Sequence, residues 1–285
     1  MQLVKYTNAL DVAIDFKISS KVILQHIEGT GNVEANHRSS NAPFQNGSKR
    51  TKTSLNNRFI KLSGTLKGQS RKELAYLKEV LCGVFNPSLD DGKLEYDAGN
   101  GTKFIYAIPE ETPIFSEYRG NSVAFIIDLV CHDPYWHDLE DSIHTFTSPY
   151  SGLFEFPFSD SFEMGIHNEI VTFVNKGNAE TPLFIEFEGG IKNAKLTNKT
   201  NGEWIEIKKK LESNERLIIN SNVGEKEVRI IKNNGETRNG FGLITLDSST
   251  FMHLAKGENV IEYVAESDSG LAVLHLKWNS RYLGV

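Results

Sequence analysis

Short runs of alternating hydrophobic and polar residues occupy much of the first half of the chain, a pattern typical of β-strands. They predict strands at 12–18, 22–24, 58–64, 94–96, 104–108 and 122–131. In the first run, Val12, Ile14, Phe16 and Ile18 share one face. The last run is apolar at almost every position, so it is expected to be buried on both faces of a sheet.

A single helix interrupts these strands. Ser70 stands three residues before Glu73, which is the spacing of a capping box. Apolar residues then recur at helical spacing, namely Leu74, Leu77, Val80 and Leu81. Gly83 can take the left-handed conformation that ends many helices. The sequence therefore predicts a helix over 70–83 that packs one face on a sheet.

The second half shows alternating runs only, separated by turn residues every 8–12 positions. Its turns include Asn201-Gly202, Asn222-Val223-Gly224 and Asn233-Asn234-Gly235. This spacing is typical of a β-sandwich or jelly roll. The fold class is mainly β, with a boundary near residue 140. We expect domains at 1–139, a β-sandwich with one helix and a long arm, and at 140–285.

Between the second and third strands, at about 30–57, the apolar pattern stops for nearly thirty residues. Such a gap is too long for an ordinary connection, so it is either disordered or an arm that orders against a partner. The segment is rich in Asn, Ser and Gly, and it holds one acid, Glu34. We favour the arm, whose candidate contact residues are its basic side chains Arg38, Lys49, Arg50, Lys52 and Arg58.

Composition narrows the class of protein. The 285 residues are 39% hydrophobic and 24% charged, as in globular proteins, and no apolar run is long enough for a membrane span. No secretory signal pattern opens the chain. Residues 1–139 hold 16 basic and 16 acidic residues, so the net charge of −6 comes from the second half. This charge does not indicate a general nucleic-acid surface, and five cations on the arm are weak evidence for DNA contact.

Signals for chemistry are weak. His132, Asp133, His137 and Asp138 are the densest group of metal-ligand types, but neighbours on a strand point to opposite faces. Paired acids such as Glu110-Glu111 do not define a hydrolase cleft. No motif for a nucleotide loop, a serine hydrolase or a zinc protease is present. We expect no enzyme activity and no cofactor. The two cysteines, Cys82 and Cys131, are expected to be buried thiols, with a bridge or a reactive thiol as alternatives.

Carbohydrate binding is a more serious alternative, because sugars stack on aromatic rings. The candidate contacts are Trp204, Tyr263, Trp278 and Tyr282. Several of these rings continue core-like alternation, so a role in the core or in an interface is the competing interpretation. The alternative function would be recognition of a host-surface glycan by the second domain.

The segment from Cys131 to Trp136, with Asp133, Pro134 and Tyr135 between them, resembles the junction between the two domains of siphophage distal tail proteins. The stretch 257–263 and the final segment 278–285 are also similar to that family, as is the order of strands, arm, helix and second all-β domain. The resemblance covers essentially the whole chain. It implies a tail-tube-like first domain that forms a hexameric ring, an arm that embraces the neighbouring copy, and a galectin-like second domain.

The resemblance also implies partners and a location. The ring would join the tail-tube protein to the tail-associated hub protein and would hold receptor-binding protein, with a cell-wall glycan as a further candidate ligand. No membrane and no specific nucleic acid are expected as partners. The protein would lie at the virion tail tip, be assembled in the cytoplasm of the bacterial host, and be encoded by a prophage.

Overall fold

The computed structural model describes residues 3–17, 20–147, 167–208, 210–245, 249–267 and 273–285. The chain forms two compact units. The first comprises the described residues up to Leu139 together with Tyr282–Val285, and the second runs from Glu140 to Arg281. The last four residues, which the sequence assigned to the second domain, therefore lie with the first unit. Polar contacts described below hold them there.

The first unit contains one α-helix, α1 (Arg71–Val84). Its strands are β1 (Leu3–Thr7), β2 (Ala13–Asp15), β3 (Val22–Glu28), β4 (Ala35–Ser40), β5 (Lys49–Leu55), β6 (Arg58–Lys67), β7 (Gly92–Asp97), β8 (Lys103–Pro109), β9 (Ile114–Phe115), β10 (Ser122–Cys131) and β11 (Trp136–Asp138).

Seven of these strands form one antiparallel sheet in the order β2-β1-β7-β8-β10-β6-β3. The sheet curves so strongly that strands from its opposite ends share one core, which contains Tyr6, Leu62 and Phe125. The rings of Phe16, next to β2, and Phe125, on β10, lie 6.2 Å apart between centroids. Helix α1 supplies Leu74, Leu81 and Val84 to the same cluster. Buried apolar side chains from distant parts of the sequence therefore stabilise this unit.

Two predictions at the start of the chain need correction. Among the described residues of the predicted 12–18 run, only Ala13–Asp15 form a strand. Val12 is exposed because it lies in the preceding turn, where the Asn8 side chain accepts a hydrogen bond from its N–H at 3.0 Å. Ile14 and Phe16 are buried as expected, and Ile18 lies outside the described residues.

The prediction that 122–131 is buried on both faces was also wrong. In β10 buried and more accessible residues alternate, with Phe125, Ile127 and Leu129 facing the core. Ile126, on the opposite face, is 38% exposed. The outer face of the sheet therefore leaves apolar side chains such as Ile126 and Phe59 accessible in the single chain.

The helix forms as its sequence predicts, with one difference. The Ser70 side chain accepts a hydrogen bond from the Glu73 N–H at 3.2 Å, and the Glu73 carboxylate accepts one from the Gln69 N–H. The helix continues past Gly83 to Val84, and the N–H of Phe85 donates to the Leu81 carbonyl at 2.9 Å. The ring of Phe85 stacks on Tyr6 at 4.4 Å between centroids. Packing of Phe85, rather than a glycine cap, accounts for where the helix ends.

The second unit is built from strands and one short 3₁₀ turn, Phe241–Leu243, among its described residues. Its strands are β12 (Ser142–Thr147), β13 (His167–Asn175), β14 (Thr181–Pro182), β15 (Phe184–Glu188), β16 (Ile191–Asn198), β17 (Trp204–Ile207), β18 (Glu215–Asn220), β19 (Glu227–Lys232), β20 (Thr237–Asn239), β21 (His253–Leu254), β22 (Gly257–Ser267) and β23 (Val273–Trp278). The last strand, β24 (Arg281–Tyr282), begins at the last residue of this unit and enters the first unit at Tyr282.

Two sheets enclose the core of the second unit. The larger follows the order β12-β23-β15-β18-β19-β20, and the smaller follows β13-β22-β16-β17. Leu217 and Leu274 from the larger sheet share one cluster with Leu196 and Ile261 from the smaller. This arrangement is a β-sandwich. The mainly β class predicted from the sequence is confirmed, and Gly202, Gly224 and Gly235 have the positive φ angles that their turns predicted. Across the described residues, no helix has the length and apolar character that a membrane crossing requires.

We expect the packing of α1 on the core to contribute measurably to the free energy of unfolding of the first unit. Leu81→Ala should lower the free energy of unfolding of the first unit by about 2–5 kcal/mol, because it leaves a cavity under α1. The adjacent Val80→Ala, on the exposed side of the helix, should change it by less than about 0.5 kcal/mol. Urea titration measures the change in the free energy of unfolding for both variants, and hydrogen exchange of the β6 and β10 amides assigns that change to the first unit. Equal effects of the two substitutions would contradict the packing described.

Candidate assembly surface

Strands β4 and β5 form a hairpin that pairs only with itself among the described strands. Every residue of β4 is exposed, as is every residue of β5 except the half-buried Leu55. Phe44, in the loop between them, is fully exposed. A two-stranded ribbon with both faces in water is marginally stable by itself. The hairpin therefore gains little stability from burial within the described part of the chain.

The hairpin is also strongly cationic. Residues 35–55 contain Arg38, Lys49, Arg50 and Lys52 and no Asp or Glu. Within the described parts of the chain, none of these four side chains forms an ion pair. Their charges are thus available to an acidic partner.

Arg58, which the sequence grouped with the arm, has a different position. It begins β6 and is fully buried. Its guanidinium donates to the carbonyls of Gly29 at 2.7 Å, Asn32 at 3.0 Å and Thr30 at 3.3 Å. It also donates to Pro134 at 2.8 Å and to Leu283. The assignment of Arg58 as an oligomerisation contact is corrected: it is an internal anchor at the root of the hairpin.

The positive charge of the buried guanidinium is stabilised by the dipoles of backbone carbonyls and not by a carboxylate. Burial lowers the pKa of the Arg58 guanidinium, although an arginine stays charged at neutral pH. Five planar N–H groups match acceptors from three separate segments, which a lysine could not do. The network therefore fixes the root of the hairpin, the 134 segment and the C-terminus to one point.

The predicted junction segment belongs to the same anchor. Trp136 is fully buried, and its indole N–H donates to the Thr30 carbonyl at 3.0 Å. Asp133 accepts a hydrogen bond from the Tyr135 N–H at 3.2 Å and lies 3.1 Å from the His137 ring. Pro134 supplies one of the carbonyls to Arg58. These residues therefore stabilise the first unit around the hairpin root.

Gly29 shows why the chain can turn at this root. Its φ is +88°, a conformation that side-chain-bearing residues rarely adopt. A Cβ at this position would lie 2.0 Å from the carbonyl oxygen of Phe59. The backbones of 29 and 59 can thus approach closely only because residue 29 is glycine.

The C-terminal residues are held by a second polar group. The Tyr282 hydroxyl donates to Asp138 at 3.1 Å, and the Lys103 ammonium contacts the same carboxylate and lies 4.3 Å from the centre of the Tyr282 ring. Burial, followed by the charge of Asp138, raises the pKa of Tyr282. This phenol is engaged within the first unit and is not an open platform for a sugar.

The other proposed sugar contacts are also largely unsuitable. Tyr263 and Trp278 are buried in the core of the second unit, so neither ring can stack on a sugar, and that prediction is corrected. Burial raises the pKa of Tyr263 well above its usual value. Trp204 is half-buried, and the Lys195 ammonium lies 4.5 Å from the centre of its ring.

The remaining candidate chemistry has ordinary structural roles. In the described part of the chain, no group of three or more His, Cys, Asp or Glu side chains converges as metal ligands do. Cys82 and Cys131 are both free thiols. Cys131 is fully buried in the first core, and burial raises its pKa to about 12.

Comparison with known proteins gives this architecture a context. The phage tail protein RIFT-related domain matches residues 13–131, and the C-terminal domain of the siphovirus-type tail component matches residues 176–282. The two matches lie in the first and second units respectively. They define the class as a structural component of a phage tail. Both models describe phage tail proteins and the fold agrees with them, which confirms the resemblance to the distal tail or baseplate proteins of siphophages.

Solved structures share the fold at low sequence identity. SPP1 Dit (gp 19.1), described as a paradigm of the hub adsorption apparatus in phages infecting Gram-positive bacteria, aligns with a TM-score of 0.64 and 12% identity, over 96% of this chain and 98% of that one. Chains of the phage P2 baseplate, in its activated conformation with Ca or with Sr, align with a TM-score of 0.52 and 12% identity, over 97% of this chain and 98% of theirs. No curated protein matches the sequence.

The anchor predicts a sharp effect of a conservative change. Arg58→Lys should lower the free energy of unfolding of the first unit by about 2–4 kcal/mol, because several buried carbonyls lose their donors. The matched control is Arg38→Lys on the exposed hairpin, which should change it by less than about 0.5 kcal/mol. Denaturant titration checks both values. If Arg58→Lys were neutral, the carbonyl network would not stabilise the fold.

Cysteine reactivity tests the burial of the junction. At pH 8 a thiol-specific reagent should label Cys82, which is half-buried, and leave Cys131 unmodified until the protein unfolds. The Cys82→Ser variant should therefore incorporate no label when folded and one label in denaturant. Rapid labelling of Cys131 in the folded protein would show that the core is open at this point.

Proposed function

We propose that the chain assembles into a closed ring of six copies at the tip of a siphophage tail, with the β4–β5 hairpin of each copy gripping the next. One observation carries this proposal. A ribbon exposed on both faces, cationic and free of acids, projects from a root that is fixed by the buried Arg58 network.

The side chains of the hairpin are not buried by the rest of the described chain. The hairpin has no core of its own, whereas its root is held by five hydrogen bonds to a buried guanidinium. A flexible linker would not require such a root, but an arm that must present its tip to a neighbour does. An arm on one surface that meets a different surface of the next copy is a heterologous contact, which closes into a ring when the rotation allows.

The partners that we propose for the ring are those of a baseplate hub. One ring face would meet the tail-tube protein and the other the tail-associated hub protein, and the second unit would hold receptor-binding protein; the similarity to baseplate proteins supports this proposal. In this role the chain acts through binding and not as an enzyme. Because virion parts are made inside the infected cell, assembly would take place in the bacterial cytoplasm. The prophage origin remains an expectation.

Removing the hairpin should separate assembly from folding. The N–H of Asn56 donates to the Glu34 carbonyl at 2.9 Å, so residues 35–55 can be replaced by a two-residue Asn-Gly turn without moving the root. We expect this variant to fold with the stability of the parent first unit and to run as a single chain. Light scattering after size exclusion should show the full-length protein at six times the mass of one full-length chain, or approaching that mass as concentration rises.

Two results would contradict the proposal. One is a ring of unchanged size from the shortened variant. The other is a full-length chain that stays monomeric at every attainable concentration. Hydrogen exchange at the amides of β6 serves as the control that the root is intact.

A further inference from the structure

The outer face of the first sheet carries a row of apolar side chains beside the hairpin root. Phe59 of β6 pairs in register with Val130 of β10, which pairs with Ile108 of β8. Cross-strand partners share a face, so these three side chains lie side by side on the face opposite the core. Phe59 is 57% exposed.

A groove of about 320 Å³ lies at the Phe59 end of this row. Its walls include Glu28, Asn32, Phe59, Lys61, Glu110 and Asp128. Lys61 pairs with Asp128 at 3.4 Å. Glu28, whose carboxylate lies 3.3 Å from the His26 ring, and Glu110 are exposed, and they bring the groove to a net negative charge. The groove therefore combines an exposed aromatic ring with a lining of net negative charge.

The hairpin has the opposite character. Phe44 protrudes from its tip, and Lys49 and Arg50 begin the strand that leaves the tip. An exposed aromatic ring on a cationic hairpin matches a groove that holds an aromatic ring and a net negative charge, both by apolar burial and by charge.

The hairpin cannot fill the groove of its own chain. Residues 29 and 32 line the groove and also form the root from which the hairpin leaves. The tip is separated from this root by the paired run from Ala35 to Ser40, which spans about 20 Å at strand geometry. Only a second copy can place its tip there.

We propose that the groove formed by Glu28, Phe59 and Glu110 is the receptor for the hairpin tip of the neighbouring copy. This inference rests on the proposed ring and names the surface that the hairpin grips. The tip of each hairpin then lies against the root of the next, so the six hairpins form a continuous belt. Contact with the groove buries Phe59, Phe44 and part of the open sheet face.

Charge reversal with rescue tests the contact. One double variant reverses the charge of the groove, Glu28→Lys with Glu110→Lys. A second reverses the charge of the hairpin, Lys49→Glu with Arg50→Glu. Each should weaken assembly at least about tenfold at low salt. Combining all four changes should restore most of the loss, because the pairs are again opposite in sign. The matched control is Glu79→Lys with Glu117→Lys, two exposed acids of the same unit outside the groove, and it should leave assembly unchanged.

A directed cross-link gives a second readout. In a Cys82→Ser background, chains with Phe44→Cys and differently tagged chains with Asn32→Cys should form a mixed disulfide dimer only when combined. The same mixture with Glu117→Cys in place of Asn32→Cys should not. A disulfide that forms as readily with position 117 would overturn the assignment of the groove.

The failures of the two proposals can be told apart. Suppose that the shortened hairpin abolishes the ring. If reversing the charge of the groove then leaves assembly unchanged, or if the combined charge reversal restores none of the loss, the proposed ring is retained and the groove assignment is wrong. If the shortened hairpin leaves the ring intact, the hairpin closes nothing, and both proposals fail.

Discussion

The buried guanidinium of Arg58 is the interaction on which the first unit depends. It joins three segments that are far apart in the sequence: the turn at 29–32, the Pro134 segment and the C-terminal Leu283. A buried charge is tolerated only when its hydrogen-bonding groups are satisfied, so these backbones must all reach their positions together. Because the backbone at 29–32 is held by Arg58, the base of the hairpin is fixed in position, although the strands of the hairpin contribute little to the fold.

The sequence predicted those features that depend on local order. Alternation identified most strands, Ser70 and Glu73 located the start of the helix, and glycines such as Gly202 marked turns. Local patterns were less reliable where a neighbouring segment decides the outcome. Val12 reads as a strand residue but is held in a turn by Asn8, and Gly83 reads as a helix end but lies within α1.

The candidate site was partly visible in the sequence. The arm and its cations Arg38, Lys49, Arg50 and Lys52 were identified because apolar alternation stops there. Arg58 was misassigned by charge alone, although it shares the parity of Ile60 and Leu62, which point into the core. The groove could not be predicted, because Glu28, Phe59 and Glu110 converge only through the pairing of strands distant in sequence.

The wrong prediction that β10 is buried on both faces is relevant to the proposed assembly. Its sequence is apolar at most positions, which is typical of a strand with two covered faces, yet its outer face, which carries Ile126 together with Ser122 and Asp128, is only partly covered. A sequence selected in an assembly carries the burial pattern of that assembly, so the missing cover is information about the partner. In the proposed ring, the open face near Phe59 and the hairpin without a core would be the two halves of one interface. The same contact would account for the absence of acids from 35–55, because Glu28 and Glu110 of the next copy would compensate its cations.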